Sequence, residues 1–451
     1  MTQGRQVDPG FDRLPGEVVD WLMKPFASFL RIEAAAGAIL LAVTIAALVL
    51  SNSPWAHQFL GFWELPVGIR IGSLEAARSL RDWINDALMT LFFFVVALEL
   101  KRELVLGELR NPRMAALSIA AAAGGMLVPA AIYVMMQWGQ EGAHGWGIAM
   151  ATDTAFVIGC LAVLGRRIPQ GLRVFMLSLA IIDDIGAILV VAIGYGSQLD
   201  WAALAVGGLG IAIVRGMTLL GIRSIPIYFL VGGLTWLAVD ASGIHATVTG
   251  VVLGLLAPTR RWVSDERLRA ILDRVVAYPA DHWSGDTEDR KALRLAEVAA
   301  RETLSPVERL EFMLHPWVGF VIMPLFAFAN AGVPISGADL SDPIATAVFF
   351  GLTLGKPLGV ITFSWLAVRS GIAVRPPGLD WGMLAGGGIL AGIGFTMALF
   401  IAGLAFGDDD HLNAAKFGIL SASVVSALLG TALLVWLSSS RRGTTGVTMR
   451  A

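Results

Sequence analysis

LAIIDDIGAI, residues 179–188, places two adjacent carboxylates, Asp183 and Asp184, in a run that is otherwise almost wholly apolar. Even on a lenient insertion scale a charged carboxylate at the centre of a bilayer costs roughly 2.5 to 3.5 kcal/mol, so two in succession need a partner, a proton or a cation. Composition says that the run does lie in a membrane: of 451 residues, 56% are hydrophobic and 15% charged, too apolar for an ordinary soluble protein. The formal net charge of -2, with basic residues scattered between apolar segments, gives no nucleic-acid surface. A single cysteine, Cys160, excludes an internal disulfide framework and a four-cysteine zinc site.

Working outward, apolar stretches of about 17 to 25 residues, the length that crosses a ~30 Å hydrocarbon layer, can be counted. Twelve fall near 34–51, 84–104, 114–137, 146–164, 172–195, 201–221, 224–239, 244–257, 313–333, 343–368, 381–405 and 413–437. Alternate connections hold the basic residues, among them Lys24 and Arg31, Arg110 and Arg113, Arg166, Arg167 and Arg173, Arg223, Arg260 and Arg261, Arg369 and Arg375, and Arg441 and Arg442. The short connections near 138–145, 196–200, 240–243, 334–342 and 406–412 hold no Lys or Arg. Because basic residues concentrate on the cytoplasmic side, twelve spans with both termini cytoplasmic are expected. The resulting division is a cytoplasmic tail (1–33), membrane helices (34–257), a cytoplasmic connection (258–312), further membrane helices (313–437) and a cytoplasmic tail (438–451). The first 33 residues are polar and lack a signal-peptide core, so the first apolar helix is expected to serve as the membrane signal.

Residues 65–77, LPVGIRIGSLEAA, alternate Val67, Ile69 and Ile71 before Gly72 and Ser73, the pattern of an outer β-hairpin. An isolated hairpin is marginal, so it rests either on a partner subunit or on its own helices. In the 258–312 connection, SDERLRAILDRVVAY and DTEDRKALRLAEVAARETL each have an acidic start and helical apolar spacing, giving two amphipathic helices. Ser305, Pro306 and Glu308 then form a helix start with Ser at N-cap, Pro at N1 and Glu at N3.

Three spans deliver ionisable groups to one depth. Asp183 lies ten residues from Arg173, which at ~1.5 Å per residue is the middle of a ~30 Å core. Asp153, in MATDTAF, and Lys356, in TLGKPLG, fall at similar depth in the fourth and tenth spans. A structural ion-pair cluster is one reading. One Lys against three Asp would leave about two negative charges uncompensated in a low dielectric. Protonation, or a small cation, resolves the excess, and competition between them is the chemistry of cation/proton exchange. Backbone breakers sit at the same level: Thr152, Asp153 and Thr154 compete for helical hydrogen bonds, and LAGGGILAGIGFTMALF carries Gly386, Gly387, Gly388, Gly392 and Gly394. Both segments read as interrupted helices whose half-helix ends Asp153 and Lys356 would balance. For the glycines, close helix packing is the alternative.

ATDTAF, LAIIDDIGAI, GIHATVTGV, LHPWV with PLFAFANAGV, GKPLG and GIGFTMALFIAGLAF, in this order, resemble the NhaA-type sodium/proton antiporters of bacterial inner membranes, as do WINDALMTLFFFVVALELKREL and RIGSLE. The match runs from about residue 33 to 436. The resemblance implies an all-α polytopic membrane protein of about twelve helices with an inverted repeat, its fourth and eleventh helices interrupted, at Gly392 and Gly394 in the latter, and crossing at the midplane. It implies that Asp183 and Asp184 bind Na⁺ or Li⁺ and exchange it for protons, that Asp153 and Lys356 compensate charge, with Lys356 pairing Asp183 when ion-free, and that Thr152 lies beside the site. His245, Glu99, Glu103 and Glu311 match positions linked to a pH response. Read from the residues alone, Glu99 and Glu103, beside Lys101 and Arg102 at a cytoplasmic helix end, are more commonly a solvated salt-bridge cluster, and the alternative for His245, which opens a helix near the outer face, is that it satisfies a backbone group. The resemblance also implies a homodimer through the hairpin and no cofactor. Met150 and the long 258–312 connection depart from the family pattern.

The expected function is a secondary transporter, not an enzyme, exchanging intracellular Na⁺ or Li⁺ for external H⁺ by alternating access, with about two protons per ion and therefore electrogenic. The alternatives are another proton-coupled transporter or a channel, and an intramembrane aspartyl protease. The last needs aspartates on separate helices and a GxGD-type loop, whereas Ile181 and Ile182 precede Asp183, and no HExxH or GxSG is present.

Overall fold

The computed structural model describes residues 29–71, 74–105, 107, 112–196, 199–222, 224–276, 287–334, 341–376 and 378–447. The expected hairpin turn at Gly72 and Ser73, most of the N-terminal tail, Arg110, Arg223 and the extreme C-terminus lie outside these residues.

The chain begins with α1 (Phe29–Ser51) and α2 (Ala56–Trp63), then strands β1 (Pro66–Ile71) and β2 (Leu74–Ser79). Helices α3 (Leu80–Val105) and α4 (Pro112–Met136) follow, then a 3-10 segment, Glu141–Met150, that leads into α5 (Thr154–Leu164). Next come α6 (Gln170–Gly194), α7 (Trp201–Leu219), α8 (Ile225–Ala241), α9 (Thr247–Leu256), α10 (Asp265–Val276) and α11 (Thr287–Glu302). Last are α12 (Pro306–Asn330), α13 (Pro343–Arg369), α14 (Trp381–Ala391), α15 (Phe395–Ala405) and α16 (Asp409–Val447). Among the described residues, seven helices (α3, α4, α6, α7, α12, α13 and α16) are individually long and apolar enough to cross a membrane. Three pairs pass that test only together: α1 with α2, bent by 119°, the 3-10 segment with α5, bent by 40°, and α14 with α15, bent by 44°. The apolar helices α8 and α9 are shorter.

Helix starts follow local chemistry. Ser305 accepts from the Glu308 amide and the Glu308 carboxylate answers the Ser305 amide, with Pro306 opening the first turn of α12. Asp200, Asp342 and Asp380 cap α7, α13 and α14 more simply, each side chain accepting from amides of the first turn. Asp153 caps α5, but unlike those three it is completely buried. The hairpin pairs antiparallel from Pro66↔Ser79 to Ile71↔Leu74. Arg78 ties β2 to the helices, reaching Asp86 of α3 at 2.7 Å and Asp240 of α8.

Glycine sets the closest packing. A Cβ on Gly359 would collide with the backbone of Gly124, so α13 and α4 touch main chain to main chain, and Cβ atoms on Gly355 and Gly351 would stand 2.7 Å from Pro129 and Ala149. In α14, Gly386 and Gly387 admit Leu434 and Met176, which makes them packing glycines. At the bend, Gly392 and Gly394 have ordinary negative φ, -69° and -84°. Gly392 is there because a Cβ would sit 2.6 Å from the Leu352 carbonyl oxygen. The fourth apolar stretch differs from a simple α-helix, since its first half is 3-10. Gly142 and Gly145, one 3-10 turn apart, admit Ile344 and Phe406, and Gly147 admits the Tyr195 hydroxyl. The sequence therefore permits a tighter coil than apolar spacing alone indicates.

Gly359→Leu is expected to overpack the α4–α13 contact by about 1–3 kcal/mol or more, read as a lower melting temperature in detergent. Gly208→Leu, with open space around its Cβ position, is the control. Equal melting of the two variants would contradict the packing described.

Candidate ion-binding site

Helix α6 carries Asp183 and Asp184 at 2% and 3% exposure. Consecutive helical residues point ~100° apart, so the two carboxylates meet different neighbours. Asp183 Oδ2 lies 2.8 Å from the Lys356 Nζ and 2.8 Å from the Thr152 Oγ1. Its other oxygen, Oδ1, is buried and has no hydrogen-bond partner among the described residues. Asp184 Oδ2 accepts from Thr154 Oγ1 at 3.1 Å.

Lys356 is fully buried and follows a π-helical turn, Gly351–Gly355. Gly125 of α4 lies beside its stem, and a Cβ there would press on Val360 at 3.1 Å while meeting Lys356 Cε at an ordinary 3.6 Å. Besides Asp183, the ammonium donates to the Met150 carbonyl, the last residue of the 3-10 segment. Carbonyls at a helix C-terminus carry the negative end of its dipole, so Lys356 meets a side-chain charge and a helix end together. Across the site the Ala391 carbonyl ends α14, and Thr152 Oγ1 lies 2.9 Å from it. Thr152 has one O–H and two acceptors, Asp183 and Ala391, so it can donate to only one at a time.

Asp153 stands where the opposite ends meet. Its Oδ1 accepts from the Phe156 amide in the first turn of α5 at 3.1 Å. Its Oδ2 accepts from the Thr396 amide at 3.0 Å and from the Thr396 hydroxyl, in the first turn of α15. Its own amide donates to the Ile393 carbonyl at 2.6 Å. One carboxylate thus serves two helix N-termini, where negative charge is favoured. The three carboxylates are consequently unequal: Asp153 is met by three donors, Asp183 by Lys356 and Thr152, and Asp184 by the Thr154 hydroxyl.

Residues 27–434 match the family model described as Na⁺/H⁺ antiporter 1. The chain belongs to the Na⁺/H⁺ antiporter 1 family. It is 63% identical over 441 residues to the Na(+)/H(+) antiporter NhaA 2 of Acidiphilium cryptum (strain JF-5), covering 98% of each chain. It is 60% identical over 437 residues to the Na(+)/H(+) antiporter NhaA of Rhizobium meliloti (strain 1021), covering 97% of this chain and all of that one. With the NhaA 2 antiporter of Vibrio vulnificus (strain CMCP6) the identity is 56% over 431 residues, covering 95% of this chain and 96% of the relative. A solved structure, that of the sodium proton antiporter MjNhaP1 from Methanocaldococcus jannaschii at pH 8, aligns at TM-score 0.48 with 12% identity, over 92% of this chain and 99% of that chain. As a member of the Na⁺/H⁺ antiporter 1 family with many long apolar helices, the chain is an integral membrane protein.

The remaining residues singled out in this family member lie in two places. Glu99, Glu103 and Glu311 gather between α3 and α12: His315 Nδ1 is 2.9 Å from Glu99, and Arg102 is 2.8 Å from Glu311 and 3.2 Å from Glu103. Glu311 Oε2 is buried with no hydrogen-bond partner among the described residues. His245 is elsewhere, 2.8 Å from Thr247 Oγ1 and 3.8 Å from Asp86, its ring edge-on to Phe400. Sequence reasoning missed Thr154 and Thr396 as site residues, together with the carbonyls of Met150 and Ala391. The one available signal was a hydroxyl in each apolar run next to a suspected break.

Removing one member of a buried ion pair strands the other. Lys356→Met is expected to lower unfolding free energy by about 3–5 kcal/mol, and Asp183→Asn in that background to restore most of it. Chemical denaturation in detergent reads both, and a double variant as unstable as Lys356→Met would contradict the pairing.

Proposed function

We propose that this chain is a secondary transporter that exchanges intracellular Na⁺ or Li⁺ for external H⁺. The observation that carries the reading is the Asp183–Asp184 pair: one oxygen of Asp183 is held by Lys356, the other is buried and unpartnered, and the adjacent Asp184 has no cationic partner among the pairs described. A buried carboxylate without its countercharge takes up a proton or a small hard cation, and the two exclude each other. Among the described residues no group of three or more His, Cys, Asp or Glu is arranged to hold a metal ion. A transported Na⁺ therefore completes its oxygen shell with the Thr152 and Thr154 hydroxyls, main-chain carbonyls or water.

In the proposed cycle the deprotonated site faces the cytoplasm and takes a dehydrated Na⁺. Reorientation then exposes it to the outside, where protons displace the ion and return on the carboxyls. Exchange of about two protons per Na⁺ makes the cycle electrogenic. Twelve spans in a bacterial inner membrane, with both termini cytoplasmic, fit the loop charges, with α8 and α9 as short spans beside the longer helices and the bent pairs. The two bent pairs that meet at Asp153 serve as counterparts in an inverted repeat, third to fifth span against tenth to twelfth. The Glu99–His315 and Arg102–Glu311 pairs, with His245, form the proposed pH-responsive groups. A protease reading has less support, because Asp183 is neutralised by Lys356 and Asp184 is on the same helix. The hairpin is the proposed homodimer contact.

Asp184→Asn is expected to fold normally and to lose Na⁺-dependent dissipation of a preformed pH gradient in proteoliposomes. Retained dissipation in this variant would overturn the site assignment. Deleting residues 65–77 is expected to give monomers by light scattering in detergent, and a persistent dimer would reject the interface.

A further inference from the structure

Residues 151–153 link the 3-10 segment to α5, with the Ala151 amide bonded back to Ile148 and the Asp153 carbonyl accepting from Val157, and they carry or adjoin both hydroxyls that reach the α6 carboxylates. Asp153 is the residue between Thr152 and Thr154, and its anchors lie on the other bent pair: the Ile393 carbonyl, the Thr396 amide and the Thr396 hydroxyl. The two amide bonds belong to main chain and survive any substitution that keeps the helices. The Thr396 hydroxyl is the side-chain donor in this set, on a residue with no exposed surface. Its acceptor is Asp153, not either of the α6 carboxylates.

We propose that Thr396 is a positioning residue for ion selection: by holding Asp153 Oδ2 it fixes the Thr152 and Thr154 hydroxyls against Asp183 and Asp184, and so sets the affinity and size preference of the cation site. The inference rests on the cation site proposed above. Without the hydroxyl, Asp153 Oδ2 keeps one donor, the Thr396 amide, in place of two, so the grip of α15 on Asp153 loosens, and with it the placing of Thr152 before it and of Thr154 at the start of α5. A hydroxyl pair held rigidly discriminates between ions by radius, whereas a loosened pair adapts to either.

Thr396→Val is close in shape and removes only the donor. Loss of one hydrogen bond to a charged acceptor corresponds to a change of about tenfold or more. In proteoliposomes the variant is therefore expected to raise the KM for Na⁺ about tenfold, with maximal exchange rate within about twofold, and to shrink whichever preference the parent shows between Na⁺ and Li⁺. Thr396→Ser, which keeps the hydroxyl, is expected to stay within about twofold on KM and on the ion ratio. A purely structural role would instead lower the rate and the yield of folded protein and leave KM and the Na⁺/Li⁺ ratio in place. An unchanged KM and ratio in Thr396→Val, or an equal effect of Ser and Val, would overturn the proposal. If the Val variant fails to fold, Thr396→Ala against Thr396→Ser makes the same decision, with equal KM values counting against it. Asp184→Asn is run in parallel: an active Asp184→Asn defeats the cation site itself, whereas an inactive Asp184→Asn with parental KM in Thr396→Val defeats only the role of Thr396.

Discussion

The contact between Lys356 and Asp183 is the constraint from which the rest follows. Taking either ion out of water costs several kcal/mol, and their attraction offsets this only when the geometry is close and the remaining polar atoms are satisfied. Closeness comes from glycine. Gly124 on α4 faces Gly359, so α13 packs main chain to main chain and can bring its ammonium to full burial against α6. Satisfaction comes in part from the bent helix pairs, whose ends supply the Met150 carbonyl to Lys356 and amides to Asp153, while Asp183 Oδ1 stays buried without a partner among the described residues. Each device neutralises one charge, and Asp184 is what they leave over.

That arithmetic also explains why the bent pairs are where they are. An intact helix passing through this level would offer no free amide or carbonyl, since its main-chain groups bond to one another. Bending the 3-10 segment against α5 by 40° and α14 against α15 by 44° exposes main-chain groups at the depth of the carboxylates. Thr152 and Thr154, flanking the capping Asp153, then carry the hydroxyls that touch the α6 pair. The same short segment therefore ends one helical piece, starts another and presents hydroxyls to the α6 carboxylates.

Much of this was legible in the sequence, for identifiable reasons. Ionisable residues in apolar runs are costly, so Asp153, Asp183, Asp184 and Lys356 stand out from the chain alone, and all four converge in the structure. Ser305, Pro306 and Glu308 are a local code read correctly because capping depends on three neighbouring residues. The 3-10 coil of Glu141–Met150 was not legible, because it depends on how near Ile344, Phe406 and Tyr195 come to three glycines. Thr396 was hidden for the same kind of reason: a threonine in an apolar helix ordinarily bonds its own turn, and its actual acceptor is 243 residues away. In the triple glycine of α14, Gly386 and Gly387 are packing positions, while Gly392 sits at the bend because of a close approach to the Leu352 carbonyl.

The central claim is that Na⁺ and protons compete for the same buried carboxylates. Adding Na⁺ to the purified protein in weakly buffered detergent solution, with a pH-sensitive dye and a range of starting pH values, measures that competition without transport. Competition predicts saturable proton release on Na⁺ addition that disappears in Asp184→Asn. Binding of Na⁺ with no proton release, or release that persists in Asp184→Asn, would contradict it.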